Sequence, residues 1–205
     1  MKNLKHLYIL IGTIIFVSTS LYSNVQSNYL IIDSLLSNAS VQINSKLDEK
    51  SDNKNILMNF NSHSAVWLLR QKIFKHLESR GVSIYQTEIE EKKYLKADIF
   101  IHECDVRFSN TEEDRNKLIR RIKVKISGII TEKDGLAINL PEIDYEYKDI
   151  LDRDDIPLVQ SNQFDFAHSP VPDAPKSFFR EIAEPFIIIA SAALIVVLFF
   201  TVRSG

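Results

Sequence analysis

The sequence predicts an α+β fold in which two helices pack on a mixed sheet of about five strands, followed by one carboxy-terminal transmembrane helix. Three observations predict it. Helical and alternating apolar patterns follow one another as helix, strand, helix, strand and then three strands. Asp134-Gly135 separates the last two alternating segments, which is typical of an antiparallel hairpin. Residues 186–202 are apolar and carry no charge.

The last apolar run is the basis for a transmembrane helix at 185–203. Its seventeen residues would rise about 26 Å as a helix, close to the roughly 30 Å of a hydrocarbon core. Ala190, Ser191 and Ala193 are small and would let a second helix approach closely, so we expect them to bind a partner. A buried carboxy-terminal core helix is the alternative interpretation.

The amino terminus has the pattern of an export signal. A basic start, Lys2, Lys5 and His6, is followed by a short apolar run and a serine- and threonine-rich exit. We interpret 1–23 as a signal peptide, with an uncleaved anchor as the alternative. The predicted location is therefore the cytoplasmic (inner) membrane, as a single-pass protein whose domain at 28–155 is extracytoplasmic, in the periplasm.

Two amphipathic helices begin the predicted domain. Apolar residues recur at spacings of three and four between Tyr29 and Leu47. The second helix has an apolar face from Val66 to Leu77, and Gly81 suits the left-handed position just beyond its last turn. A short strand follows each helix in this pattern.

The strand at 97–108 carries a row of alternate residues that we expect on one face: Phe100, His102, Cys104, Val106 and Phe108. Cys104 fits a small core residue, with a reactive thiol as the alternative. His102 fits a hydrogen-bonded, half-buried side chain, because no second metal ligand stands at a suitable spacing.

The hairpin about Asp134-Gly135 predicts a register in which apolar side chains pair on one face of the sheet and opposite charges pair on the other. Its apolar pairs are Ile126 with Ile143, Val124 with Tyr145 and Ile122 with Tyr147, and its charge pairs are Lys125 with Asp144 and Lys123 with Glu146. Pro141 would oppose Gly128 and is a predicted bulge or edge position. The basic residues therefore fit a charge ladder better than a ligand site.

The segment 156–184 is rich in proline, serine and asparagine and predicts an extended linker with a juxtamembrane turn. Phe164 and Phe166 within it are candidates for docking onto the domain or onto a partner. The preceding aspartates from Asp149 to Asp155 lack the turn-forming glycine of a calcium loop and fit a solvated loop.

Composition excludes several classes of function. The net charge of -2 shows no bias towards nucleic acid. A single cysteine excludes an intramolecular disulfide framework and a cysteine-based zinc site. No catalytic motif is present, and the adjacency of His63 to two serines is explained by helix capping. We therefore expect no catalytic residue, no cofactor and no metal.

The order of elements resembles the small exported α/β domain of the curli-export lipoprotein family and the amino-terminal domain of TolB. The resemblance rests on LESRGVSIY at a helix end, KADIFIHECDVRF in the next strand and a glycine-turn hairpin, IKVKISGIITEKDGLAINL. It covers about residues 30–150 and implies an envelope assembly or adaptor module without an active site. The lipoprotein cysteine and the propeller of those families have no counterpart here.

These observations favour a non-enzymatic, membrane-anchored envelope protein whose exported domain binds or scaffolds another envelope protein, or itself. A small-ligand sensor that signals laterally through its span is the first alternative, and an envelope hydrolase is the second.

Overall fold

The computed structural model describes residues 25–50, 55–89, 93–175 and 178–203. The predicted signal at 1–23 lies outside the described residues. The elements in chain order are α1 (Asn28–Lys50), β1 (Asn55–Phe60), α2 (Val66–Ser79), β2 (Ser83–Tyr85), β3 (Leu95–Asn110), β4 (Lys117–Thr131), β5 (Ala137–Asp152), α3 (Ile156–Val159) and α4 (Phe178–Arg203), with 3-10 turns at Arg153–Asp155 and Asp165–Ala167.

The sheet has five strands in the order β2-β1-β3-β4-β5. Strand β1 is parallel to both of its neighbours, β2 and β3. The connection from β1 to β2 is a crossover through α2, as parallel neighbours require. The long strands β3, β4 and β5 are antiparallel. Buried and exposed side chains alternate along them, since α1 and α2 cover one face of the sheet and the other face is open.

The predicted hairpin register is confirmed between β4 and β5. Ile126 pairs with Ile143, and the other four predicted pairs are also present. The turn itself is different: Glu132 N donates to Leu136 O at 2.8 Å, so the loop holds three residues, with Gly135 at φ 89°. The longer loop displaces the pairing next to it by one residue from the predicted register, so that Gly128 pairs with Leu140. A bulge beside Pro141 then restores the predicted register from Ile126 onwards.

A β-bulge in β3 overturns the predicted facing of that strand. The register shifts between Ile101 and Glu103, which leaves His102 as an extra residue. Phe100 and His102 therefore lie on the open face, whereas Cys104, Val106 and Phe108 lie in the core with Ile101. One unpaired residue is enough to reverse the side-chain alternation for the rest of the strand.

Burial raises the pKa of the Cys104 thiol to about 12, and the nearby Asp105 carboxylate adds to the shift. The thiol therefore stays protonated at pH near 8, where an exposed cysteine is partly ionised. We expect iodoacetamide to alkylate the folded protein at least about a hundredfold more slowly than the urea-unfolded chain. Mass spectrometry of timed samples measures this, and equal rates would contradict the core position of Cys104.

The predicted transmembrane helix at 185–203 is wrong. Helix α4 covers this stretch, yet no helix among the described residues is both long enough and apolar enough to cross a membrane. The uncharged run of seventeen residues rises only about 26 Å, less than the roughly 30 Å hydrocarbon core, and Glu184 precedes it within the same helix.

The segment after β5 packs on the domain instead of extending away from it. Ile156 and Val159 of α3 are buried, as are Phe166 and Ala167 of the following 3-10 turn. Asn28 Nδ2 donates to Ala167 O at 3.0 Å. The predicted linker at 156–184 thus begins with residues that belong to the core, because their apolar side chains complete the covered face.

Candidate protein-binding surface

The open face of the sheet carries charges whose sign alternates from strand to strand. Strand β3 contributes carboxylates at Glu103 and Asp105, and β4 contributes the basic row Arg121, Lys123 and Lys125. Strand β5 contributes the acidic row Glu142, Asp144 and Glu146. Lys123 Nζ joins both neighbours, at 3.4 Å from Glu103 Oε2 and 3.7 Å from Asp144 Oδ2. Ion pairs therefore join all three of these strands on this face.

The ladder predicted from the register is present, but its side chains pair diagonally. Lys125 lies opposite Asp144 in the backbone register, while its Nζ is 2.7 Å from Glu142 Oε1. Arg121 Nε likewise contacts Glu146 Oε1 at 3.0 Å. Each base thus reaches an acid two residues nearer the turn than its backbone neighbour, as the diagonal neighbours of a twisted sheet allow.

Reversing the charge of Lys125 tests this diagonal pairing. Lys125→Glu is expected to lower Tm slightly, and adding Glu142→Lys is expected to restore it, because opposite charges again face each other. Adding Asp144→Lys instead should restore less. The hydrogen bond from Lys125 holds the pKa of Glu142 below its ordinary value, so this stabilisation is present above the ordinary carboxyl range and is lost as pH falls through the lowered pKa. Thermal unfolding at pH 7 measures the three variants.

Strand β5 is the outer strand of the sheet, and among the described strands none pairs with its far side. It is 16 residues long, whereas the strand at the opposite edge, β2, has three. Its helix-side row is only partly covered: Ile138, Tyr145 and Tyr147 are half-buried. A long edge with a half-buried apolar row is the kind of strand to which another chain can add.

A groove of about 360 Å³ opens beside this edge, between the end of α1 and the start of β5. Its floor is apolar and is formed by Ile130, Ile138, Leu140 and Pro141. The rim is charged and is formed by Lys46, Glu49 and Lys50 of α1, where Lys46 pairs with Glu49 at 2.8 Å and Lys50 with Glu132 at 3.0 Å. The groove can receive apolar side chains from a strand placed along β5.

The two phenylalanines predicted to dock do so on their own domain. Phe166 is buried, and Phe164 stacks on it with the ring centroids 5.5 Å apart. Phe164 also contacts Tyr29 and Trp67, at 4.9 and 5.6 Å between centroids. Their predicted use by a partner stays a prediction, and these rings already bridge α1, α2 and the segment after β5.

The small residues predicted to bind a partner helix lie on α4. Ala190, Ser191 and Ala193 are exposed, and Ser191 Oγ donates to Ile187 O at 2.6 Å, one turn back in the same helix. Their contact with another helix stays a prediction.

No group of three or more histidine, cysteine, aspartate or glutamate side chains that could hold a metal ion occurs among the described residues. His102 is exposed on the open face, and its Nε2 lies 2.6 Å from Ser127 Oγ. His63 Nδ1 accepts from Ala65 N at 3.1 Å and closes the turn before α2. Burial lowers the pKa of His63, against a smaller opposing effect of Asp105, so the neutral ring that accepts this bond is favoured.

The sequence analysis did not predict the buried position of Arg120 on the helix side of the sheet. Arg120 of β4 is 0% exposed and forms a bidentate pair with Asp149 of β5, at 2.9 and 2.6 Å. Its Nη1 also donates to Gln26 O at 2.8 Å and to Asn28 Oδ1 at 2.9 Å. Tyr147 lies over the guanidinium at 5.6 Å and donates to Asp149 Oδ2. Asp149 is therefore a structural partner and not part of a solvated acidic loop.

Comparison with known proteins adds little to this geometry. No protein-family model matches the chain, and no curated protein matches it. A solved structure of a minor lipoprotein from Acinetobacter baumannii is similar at 14% sequence identity and a TM-score of 0.31, over 54% of this chain and 72% of that one. A similarity at this identity and TM-score carries no argument about fold or function. The finer resemblance to the curli-export and TolB families stays a prediction.

Proposed function

We propose that this protein is a non-enzymatic binding module of the cell envelope, which engages another protein along the outer edge of β5. The observation that carries the proposal is the combination of a 16-residue edge strand with an apolar groove beside it. Backbone groups on the far side of such a strand can pair with an added strand, which gives affinity without requiring a deep pocket. The basic and apolar pattern at the amino terminus supports an extracytoplasmic location.

The proposed mode requires no reacting group, which is consistent with the character of the surface. Charged side chains on the open face form mutual ion pairs, such as Arg121 with Glu146 and Lys125 with Glu142. The groove beside β5 has an apolar floor and a charged rim whose lysines are already paired. Such a surface selects a partner by shape and charge, and an assembly or adaptor role follows from it.

Site-specific photo-crosslinking in cells tests the proposal. The photoreactive amino acid is placed in the full chain at Asn139 or Lys148, both exposed on β5, and at Glu78 of α2 as the matched exposed control. We expect one defined protein to crosslink from both β5 positions and not from Glu78. Absence of protein crosslinks from β5, or the same proteins from Glu78, would overturn the proposal.

A further inference from the structure

In the described part of the chain, the acidic row of β5 forms ion pairs with one neighbouring strand only. The side chains of Glu142, Asp144 and Glu146 are 55%, 44% and 46% exposed, and their bases all come from β4. By contrast, Glu103 of β3 pairs with Lys123 of the neighbouring strand and with Arg107 of its own strand, and it is 23% exposed. The alternation of acidic, basic and acidic strands therefore ends at β5 with carboxylates that a further basic strand would complete.

The β5 side chains that face the helices are only partly covered. Tyr145 and Tyr147 are half-buried, and Tyr145 OH accepts from Gln42 Nε2 of α1 at 2.7 Å. Ile138 and Leu140 form part of the groove floor towards the turn. A strand laid beside β5 would thus face carboxylates with one set of alternate side chains and apolar surface with the other set.

We propose that the occupant of this edge is an extended segment of a different protein, in which basic residues alternate with apolar ones, added to β5 as a sixth strand of the sheet. The inference rests on the proposed function and specifies the partner's chemistry. The basic side chains would lie over Glu142, Asp144 and Glu146, and the apolar ones would cover Tyr145, Tyr147 and the groove.

A second copy of this chain is a poorer occupant. On the open face, β5 carries three carboxylates and one lysine between Pro141 and Asp149: Glu142, Asp144, Glu146 and Lys148. Two such strands placed side by side would bring the acidic rows together, and like charges directly opposite each other destabilise strand pairing. Charge complementarity therefore favours a basic strand over self-association.

Synthetic peptides provide the test with the full-length protein. The probe peptide alternates lysine with valine over the length of β5, and two control peptides replace lysine by glutamate or by serine. Binding is measured by fluorescence anisotropy at low and high salt, and a photoreactive group on the peptide maps where it lies. The oligomeric state of the protein without peptide is measured by analytical ultracentrifugation.

We expect the lysine peptide to bind at least about tenfold more tightly than the serine peptide, to lose affinity in high salt and to crosslink to β5. The variant E142Q/D144N/E146Q should lose about tenfold in affinity for it. The variant E78Q/E88Q/E112Q, which removes three exposed acids from outside the sheet, should retain binding. Circular dichroism of both variants confirms that they fold.

The remaining outcomes overturn the inference in distinguishable ways. Equal binding of the serine or glutamate peptide at β5 would refute the basic partner but leave the edge as a binding site. Crosslinks of the lysine peptide outside β5, or no binding, would refute the sixth strand. A dimer crosslinked through β5 would identify a second copy as the occupant. The cellular crosslinking from Asn139 and Lys148 tests the binding function independently of the partner's charge.

Discussion

Arg120→Ala is expected to lower the free energy of unfolding by about 3–5 kcal/mol, because it leaves a partly buried carboxylate without its cation. Asp149 would lose both bonds of its bidentate pair, and Gln26 O and Asn28 Oδ1 would lose a donor. A loss of this size is a large fraction of the about 5–15 kcal/mol that stabilises a typical domain. Urea unfolding followed by circular dichroism measures it.

The adjacent residue provides a matched control for this prediction. Arg121 has the same side chain on the same strand, but it is 52% exposed and pairs with Glu146 on the open face. Arg121→Ala should cost no more than about 1 kcal/mol, as exposed ion pairs generally do. If Arg120→Ala does not fold, Arg120→Lys keeps the charge, loses the planar fork and should give an intermediate loss. Equal losses for Arg120→Ala and Arg121→Ala would contradict the buried network.

Gly128→Ala is expected to cost about 2 kcal/mol, and Gly128→Val more, through overpacking at the centre of the sheet. A Cβ at this position would lie 2.6 Å from Leu140 Cδ1 and 2.9 Å from the backbone oxygen of Asp98. The leucine can rotate, but the carbonyl belongs to the ladder between β3 and β4 and cannot move without weakening it. The measurement is again the urea midpoint.

Gly135 separates this steric effect from backbone strain. It has a φ of +89° and no heavy atom within 4 Å of an added Cβ, so Gly135→Ala carries only the conformational cost, about 1 kcal/mol. We expect Gly128→Ala to be more destabilising than Gly135→Ala. The reverse order would indicate that the sheet yields easily beside Pro141.

The hairpin register was predictable because two independent patterns, apolar and charged, agree in only one alignment. The predicted turn of two residues was wrong, because the loop holds three. The bulge at Pro141 compensates for the extra residue, so the predicted pairs are present from Ile126 onwards. The same register places Arg120 opposite Asp149, and continuing the alternation back from Ile122 puts Arg120 on the buried row. The signal for the buried ion pair was therefore present in the sequence.

Other features had no such signal. The bulge at His102 reverses the faces of β3 without a glycine or proline to mark it. The docking of Phe164 depends on Tyr29 and Trp67, which lie far away in sequence, so composition alone indicated a linker. The edge of β5 became a candidate site only when the strand order was known, because alternation cannot tell an outer strand from an inner one.

The hydrogen bond between Asn28 and Ala167 ties the start of α1 to the segment after β5, and that segment stays on the domain as far as Pro175, whose O accepts from Arg115 Nε at 2.8 Å. Arg120 also holds the start of α1 in place, because it donates to Gln26 O and to Asn28 Oδ1. The folded unit therefore extends to Pro175, and a transplanted or circularly permuted version of it would have to keep residues 168–175. The loop at 133–135 is a suitable place for the new ends of a permuted version, since it is exposed and lies outside the pairing of β4 with β5.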